Sequence, residues 1–96
     1  MYYNLRIVYV TTPDKTTAKN LSHKILQNRL AACINLIDGM ESMYWWKGKI
    51  TEGKECILLV KTHYSSMKQL TKLVEKYNSY DCPCVISLTI TEDEGS

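Results

Sequence analysis

The sequence predicts an α+β domain in the order β-α-β-β-α-β, an antiparallel sheet with both helices on one face. Three observations predict it. Two segments carry apolar residues at helical spacing, and four runs read as strands. The two middle strand runs are joined by a tight turn at Lys47-Gly48-Lys49. That hairpin carries Tyr44-Trp45-Trp46, three consecutive aromatics that cannot all point to one face of a sheet. With 96 residues the chain forms a single domain, 1–96.

The first strand runs from Leu5 to Thr11. It is rich in β-branched and aromatic residues and apolar on both faces, as expected of a central strand. Thr12-Pro13-Asp14 then marks a helix start, with Thr12 as cap and Pro13 in the first helical position. Ala18, Leu21, Ile25 and Leu30 follow on one face, so the helix is expected over Pro13 to Leu30. Ala32 to Trp46 reads as extended chain, interrupted by Asp38-Gly39, either a hairpin turn or a bulge within one long strand.

Ile50 to Thr62 resumes as strand, interrupted at Glu52-Gly53-Lys54. Its stretch Cys56-Ile57-Leu58-Leu59-Val60 has the continuous apolar character of a central strand. Met67, Leu70, Leu73, Val74 and Tyr77 define the second helix, capped by Ser65 or Ser66 and ended before Pro83. Val85 to Thr91 is the last strand, with Ile86, Leu88 and Ile90 on its buried face. The acidic residues that follow are expected to form a mobile tail over 91–96. This order is the split βαβ, or ferredoxin-like, arrangement. It leaves one sheet face uncovered by the chain's own helices, and self-association is a simple way to cover it.

The net charge of +2 and pI near 8.3 are only mildly basic, and the signs alternate through Lys47, Lys49, Glu52, Lys54 and Glu55. A mixed solvated surface is expected, with neither nucleic acid nor membrane as partner. No apolar run reaches the roughly 20 residues that span a bilayer. The start Met1-Tyr2-Tyr3-Asn4 enters a strand pattern directly, and a cytoplasmic protein is expected.

Cys33 and Cys56 lie in apolar runs and are expected to pack as small hydrophobes. Cys82-Pro83-Cys84 places two thiols on one side of an extended chain. It is a candidate soft metal pair, against the alternative of one packed and one exposed cysteine at a strand start. His23 and His63 show no paired nucleophile and read as surface residues.

Enzymatic and nucleic-acid readings of this fold fit poorly. A phosphatase cradle needs glycines and an arginine after the first strand, where Thr11-Thr12-Pro13-Asp14 stands. Base stacking needs aromatics on the central strands, and Tyr9 is the only one. A Cys-x-x-Cys copper carrier would show its pair in the first loop, and this chain does not. The aromatic cluster Tyr44, Trp45 and Trp46 reads best as an interface.

Several short motifs stand in a recognisable order. They are Thr12-Pro13-Asp14, Leu30-Ala31-Ala32-Cys33-Ile34-Asn35, and Ser42-x-Tyr44-x-Trp46-x-Gly48-Lys49-Ile50. Glu55, Lys61-Thr62 and Tyr80-Asp81-x-Pro83 follow. Together they resemble the CutA divalent-cation tolerance family. The resemblance implies a ferredoxin-like subunit that forms a homotrimer through its long hairpin and sheet edges. It implies a non-enzymatic role linked to divalent metal, chiefly copper, and no required cofactor.

It also implies an intersubunit cleft with Tyr44, Trp46, Glu55, Lys61, Tyr80 and Asp81 as candidate ligand-binding residues, and a trimer interface at Tyr44, Trp45 and Trp46. Two other readings follow from the same fold: a small-molecule sensor like the nitrogen-regulatory P-II proteins, and a structural trimer that anchors other proteins. Asn78-Ser79 stands where the family often has His-Pro, and that His has been considered a metal ligand. The family's usual C-terminal helix is expected to be absent, the sequence stopping at Ser96.

Overall fold

The structure, a computed structural model, describes residues 4–78 and 85–89. Its elements are β1 (Leu5–Thr12), α1 (Lys15–Gln27), β2 (Cys33–Trp46), β3 (Lys49–His63), a 3₁₀ turn (Tyr64–Ser66), α2 (Met67–Tyr77) and β4 (Val85–Thr89). The strands form one sheet in the order β2-β3-β1-β4, and every neighbouring pair is antiparallel. This is the expected α+β arrangement with β1 and β3 central.

The register sorts side chains by parity. Val8 pairs with Val60 and Val10 with Leu58, and side chains directly opposite share a face. These residues and Cys56 are fully buried against Ala18, Leu21 and Ile25 of α1 and Leu70 and Val74 of α2. Each such apolar side chain contributes roughly 1.5–3 kcal/mol by leaving water. Odd-numbered residues of β1 and β3 point the other way, to the face that no helix covers.

Both helix starts differ from expectation. Asp14, not Thr12, caps α1: its Oδ1 accepts from the Thr17 N–H at 2.7 Å. Thr12 is instead buried as the last residue of β1, and its hydroxyl donates to the Asp14 carbonyl. The cap therefore falls two residues later, because Thr12 is still needed in the sheet. At α2 neither Ser65 nor Ser66 serves as a side-chain cap, and the 3₁₀ turn leads the chain into the helix.

The end of α1 explains Leu30. Asn28 caps the helix and Arg29 adopts a left-handed φ of 55°. The Arg29 N–H donates to the Leu26 carbonyl and the Leu30 N–H to the Ile25 carbonyl. This is a Schellman motif, whose hydrophobic closure places Leu30 in the core three residues beyond the helix.

The hairpin turn is Lys47-Gly48, with φ of 50° and 76°. Two left-handed residues match the twist of the flanking strands, and the second is glycine, as such turns favour. Asp38-Gly39 is the bulge alternative, since the β2–β3 register shifts between Ile37 and Met40. Glu52-Gly53-Lys54 does not interrupt β3, which is continuous. The two strands run for roughly 45–50 Å, while α1 spans about 20 Å. The distal half of the hairpin therefore stands clear of the helix layer.

Two packing expectations are corrected. Cys56 is buried as expected, but Cys33 is only half-buried, opposite Lys61 on the open face. Ile86 and Leu88 form the apolar side of β4, yet they are 50% and 55% exposed. Leu88 pairs with Ile7 and Ile86 with Tyr9, so both belong to the open face. The alternation in β4 was real, but the layer it serves is not the helix layer. Ile90, the expected tail and the Cys82-Pro83-Cys84 segment lie outside the described residues.

Two measurements test this packing. Leu58→Ala is expected to lower stability by about 2–5 kcal/mol in urea unfolding, because Leu58 is fully buried between the helices and the sheet. The Thr17 N–H, and secondarily its hydroxyl, holds the Asp14 carboxyl below the usual aspartate range. A depressed folded pKa gives stability that is present above the unfolded value and lost as pH falls through the folded one. Asp14→Ala is therefore expected to melt lower than the natural chain at neutral pH. The gap should close as pH drops below about 3.9.

Candidate functional site

The open sheet face collects the candidate residues, because one parity change in β2 puts them there. Before the bulge, Cys33, Asn35 and Ile37 oppose Lys61, Leu59 and Ile57. After it, Met40 opposes Glu55, Ser42 opposes Gly53, Tyr44 opposes Thr51 and Trp46 opposes Lys49. Even-numbered residues of the distal arm thus share the face that odd-numbered residues occupied before. Trp45 points to the other side of the arm, opposite Ile50. Both tryptophans are open to solvent in the single chain, Trp45 at 73% and Trp46 at 59%.

At the middle of this face a small polar cluster interrupts the apolar surface. The Ser42 hydroxyl donates to Glu55 Oε1 at 2.6 Å, a charge-assisted hydrogen bond that fixes the carboxylate on the sheet. The Tyr9 hydroxyl lies 3.5 Å from Met40 Sδ, beside the Met40–Glu55 register pair. The Tyr44 ring lies back along β3 over Gly53, so close that a Cβ there would meet the hydroxyl at 3.3 Å. Gly53 is the gap into which the tyrosine packs.

The structure therefore brings Tyr44 and Glu55 together and adds Ser42, Met40 and Tyr9. It does not bring Lys61 to them. Lys61 lies six residues along β3 from Glu55, about 20 Å away. It is exposed beside Cys33. Trp46 sits at the distal tip. Tyr80, Asp81, Cys82 and Cys84 lie outside the described residues. Ser42 shares a face with Tyr44 by simple alternation and was open to discovery on that ground. Met40 and Tyr9 were not, because their approach depends on the bulge.

Asn78, which the resemblance sets against a frequent His, is buried. Its side-chain amide donates to the Thr11 carbonyl at 2.9 Å and its backbone N–H to the Val74 carbonyl. It ties the end of α2 to the end of β1, which is a structural task. Cys56 is a core thiol: burial pushes its pKa up, and the negative charge of Asp38 adds to the shift. Among the described residues no three His, Cys, Asp or Glu side chains stand close enough to hold a metal ion. Met40 and Glu55 are one soft and one hard donor, too few for a closed site within one chain.

These features define a class: small ferredoxin-like domains with a long two-stranded arm, whose polar and aromatic residues lie on an open sheet face. The CutA1 divalent ion tolerance protein family matches this chain over residues 6–95. The chain is 44% identical over 84 residues to Protein CutA 1, chloroplastic, of Oryza sativa subsp. japonica, which covers 88% of this chain and 48% of the relative. It is 38% identical over 84 residues to the Divalent-cation tolerance protein CutA of Thermococcus kodakarensis, covering 88% of this chain and 80% of that one. The crystal structure of CutA1 from Oryza sativa superposes with a TM-score of 0.90 at 41% identity, covering 94% of this chain and 83% of that one. The chain belongs to the CutA1 divalent ion tolerance family. It spans about half the length of the first curated relatives it matches.

The contact between Tyr44 and Gly53 gives a direct test. Gly53→Val is expected to swing the Tyr44 ring off β3 while the far-UV circular dichroism stays unchanged. The ring-proton chemical shifts of Tyr44 report it; unmoved shifts would show that the ring does not lie over Gly53.

Proposed function

We propose that this chain acts as a non-enzymatic homotrimer that binds divalent cation, copper in particular, and so contributes to divalent cation tolerance. The observation that carries the proposal is the open sheet face. Ile7, Tyr9, Ile57, Leu59, Ile86 and Leu88 form an apolar surface on it. The hairpin arm extends that surface with Tyr44 and Trp46 and carries Trp45 on its other side. A monomer seldom exposes a large continuous apolar face. Copies of the chain supply the missing layer.

The polar cluster supports the cation half of the reading. Glu55 brings a carboxylate and Met40 a thioether to the face that association covers. Neither completes a site alone, so further donors have to come from a second copy or from Asp81, Cys82 and Cys84. Thioether and thiolate donors favour copper over magnesium or calcium. In this reading Lys61, at the proximal end of the same face, pairs with a carboxylate or an anion across the interface.

Light scattering is expected to give about three times the 11.1 kDa chain mass. Trp46→Ala should shift the protein toward monomer without loss of far-UV signal. A natural chain that sediments as a monomer overturns the assembly. Calorimetry with copper should show saturable binding by the trimer. Glu55→Gln and Cys82→Ser/Cys84→Ser then divide the donors between the two segments, and a trimer that takes up no copper overturns the metal reading.

A further inference from the structure

The modest charge of the whole chain conceals a separation. The two helices together carry six lysines, Lys15, Lys19, Lys24, Lys68, Lys72 and Lys76, against one acid, Glu75. That is a net +5 in a chain whose total is +2, so the remainder carries −3. The alternating signs read from the hairpin do not extend to the helix layer.

Three of these lysines converge. A groove of ≈ 400 Å³ runs between α1 and α2, lined among others by Lys24, Gln27, Gln69, Lys72, Lys76 and Tyr77. The Lys24 ammonium sits 4.4 Å from the Tyr77 ring centroid and the Lys76 ammonium 5.3 Å from it. One aromatic ring thus contacts two like charges, and Lys72, one turn away on α2, lines the same groove. Among the described residues none of the three makes an ion pair. The ring orients the cations without neutralising them, and a ligand with negative charge relieves their mutual repulsion.

We propose that this groove is a docking site for an extended acidic segment of a partner protein. The spacing fits. Lys72 and Lys76 are four residues apart on a helix, a rise of about 6 Å, close to the roughly 6.8 Å between alternate side chains of an extended chain. Carboxylates two residues apart therefore meet successive lysines. Gln27 and Gln69 offer amides to the segment's backbone, and the half-open Tyr77 ring, 41% exposed, gives an apolar contact.

The shape selects among anions. A bilayer is flat and a nucleic-acid duplex is convex, so neither enters a groove between two helices as a single extended chain does. The groove also lacks arginine, the residue that reads phosphate and base edges with a paired donor fork. The helix layer lies opposite the open sheet face, so assembly through that face leaves the described lining of the groove uncovered. The proposal is independent of the metal reading.

Fluorescence anisotropy with a short fluorescein-labelled peptide alternating glutamate and alanine tests it. The natural chain should bind, with affinity falling as salt rises. Lys72→Glu/Lys76→Glu should weaken binding about tenfold or more, and Lys72→Gln/Lys76→Gln should weaken it by less. Lys49→Glu/Lys54→Glu, the same charge change on the hairpin, should leave it within about twofold. Far-UV circular dichroism confirms that each variant is folded. No binding of the peptide overturns the proposal, and so does equal loss in the hairpin control, which would mark a net-charge effect. Tighter, Lys72- and Lys76-dependent binding of oligouridylate or phosphatidylserine vesicles would assign the groove to nucleic acid or membrane instead.

Discussion

The antiparallel ladder between β1 and β3 is the interaction on which the rest of the molecule depends. Eight residue pairs run from Leu5 and His63 to Thr12 and Cys56. Because side chains alternate, that one register decides which residues meet the helices and which do not. Val8, Val10, Leu58 and Val60 fall on the helix side and make the core. Ile7, Tyr9, Ile57 and Leu59 are just as apolar and fall on the other. A slip by one residue would turn one strand over relative to the other and set half of the wrong row against the helices. Thr12 shows how strongly the ladder is held: it stays in the sheet beside Cys56 and leaves the capping of α1 to Asp14.

A sheet with two apolar faces and only two helices has a surplus face by construction. The chain uses its two sides differently. The helix side is closed on itself and presents lysines to solvent. The other side presents isoleucine, leucine, tyrosine and tryptophan. Surfaces so unlike each other suit different partners, an apolar one for the open face and an acidic one for the helix layer. Separating the functions by layer lets one change without disturbing the core between them.

Much of this was legible in the sequence, and the reasons differ by element. The helices were readable because apolar spacing reports burial directly, through Ala18, Leu21 and Ile25 or Leu70 and Val74. Their starts were not, because two residues that favour caps, Thr12 and Asp14, lie close together and only the sheet decides between them. The turn at Lys47-Gly48 was readable because glycine in a left-handed conformation leaves a clear signature. In β4 the alternation of Ile86 and Leu88 was correct, but periodicity says only that one side is apolar, not what covers it. Cys33 failed for the same reason. The clustering of lysines escaped a linear reading because they belong to helices far apart in sequence.

The bulge at Asp38-Gly39 shows most clearly where local pattern stops determining the site. β2 places two residues, Asp38 and Gly39, between Ile37 and Met40, while β3 places one, Cys56, between Ile57 and Glu55. The extra residue reverses parity for the whole distal arm. Without it, Glu41, Met43 and Trp45 would continue the row of Asn35 and Ile37. With it, Met40, Ser42, Tyr44 and Trp46 do. Gly39 accommodates the reversal with a φ of 74°, where a Cβ would meet nothing but would strain the backbone. The Ser42–Glu55 hydrogen bond, the Tyr9–Met40 contact and the seat of Tyr44 on Gly53 all follow from that single inserted residue. The aromatic arm is therefore not simply a run of large side chains. It is a strand whose facing is set by one glycine, and which of its three aromatics joins the open face is decided several residues before the first of them.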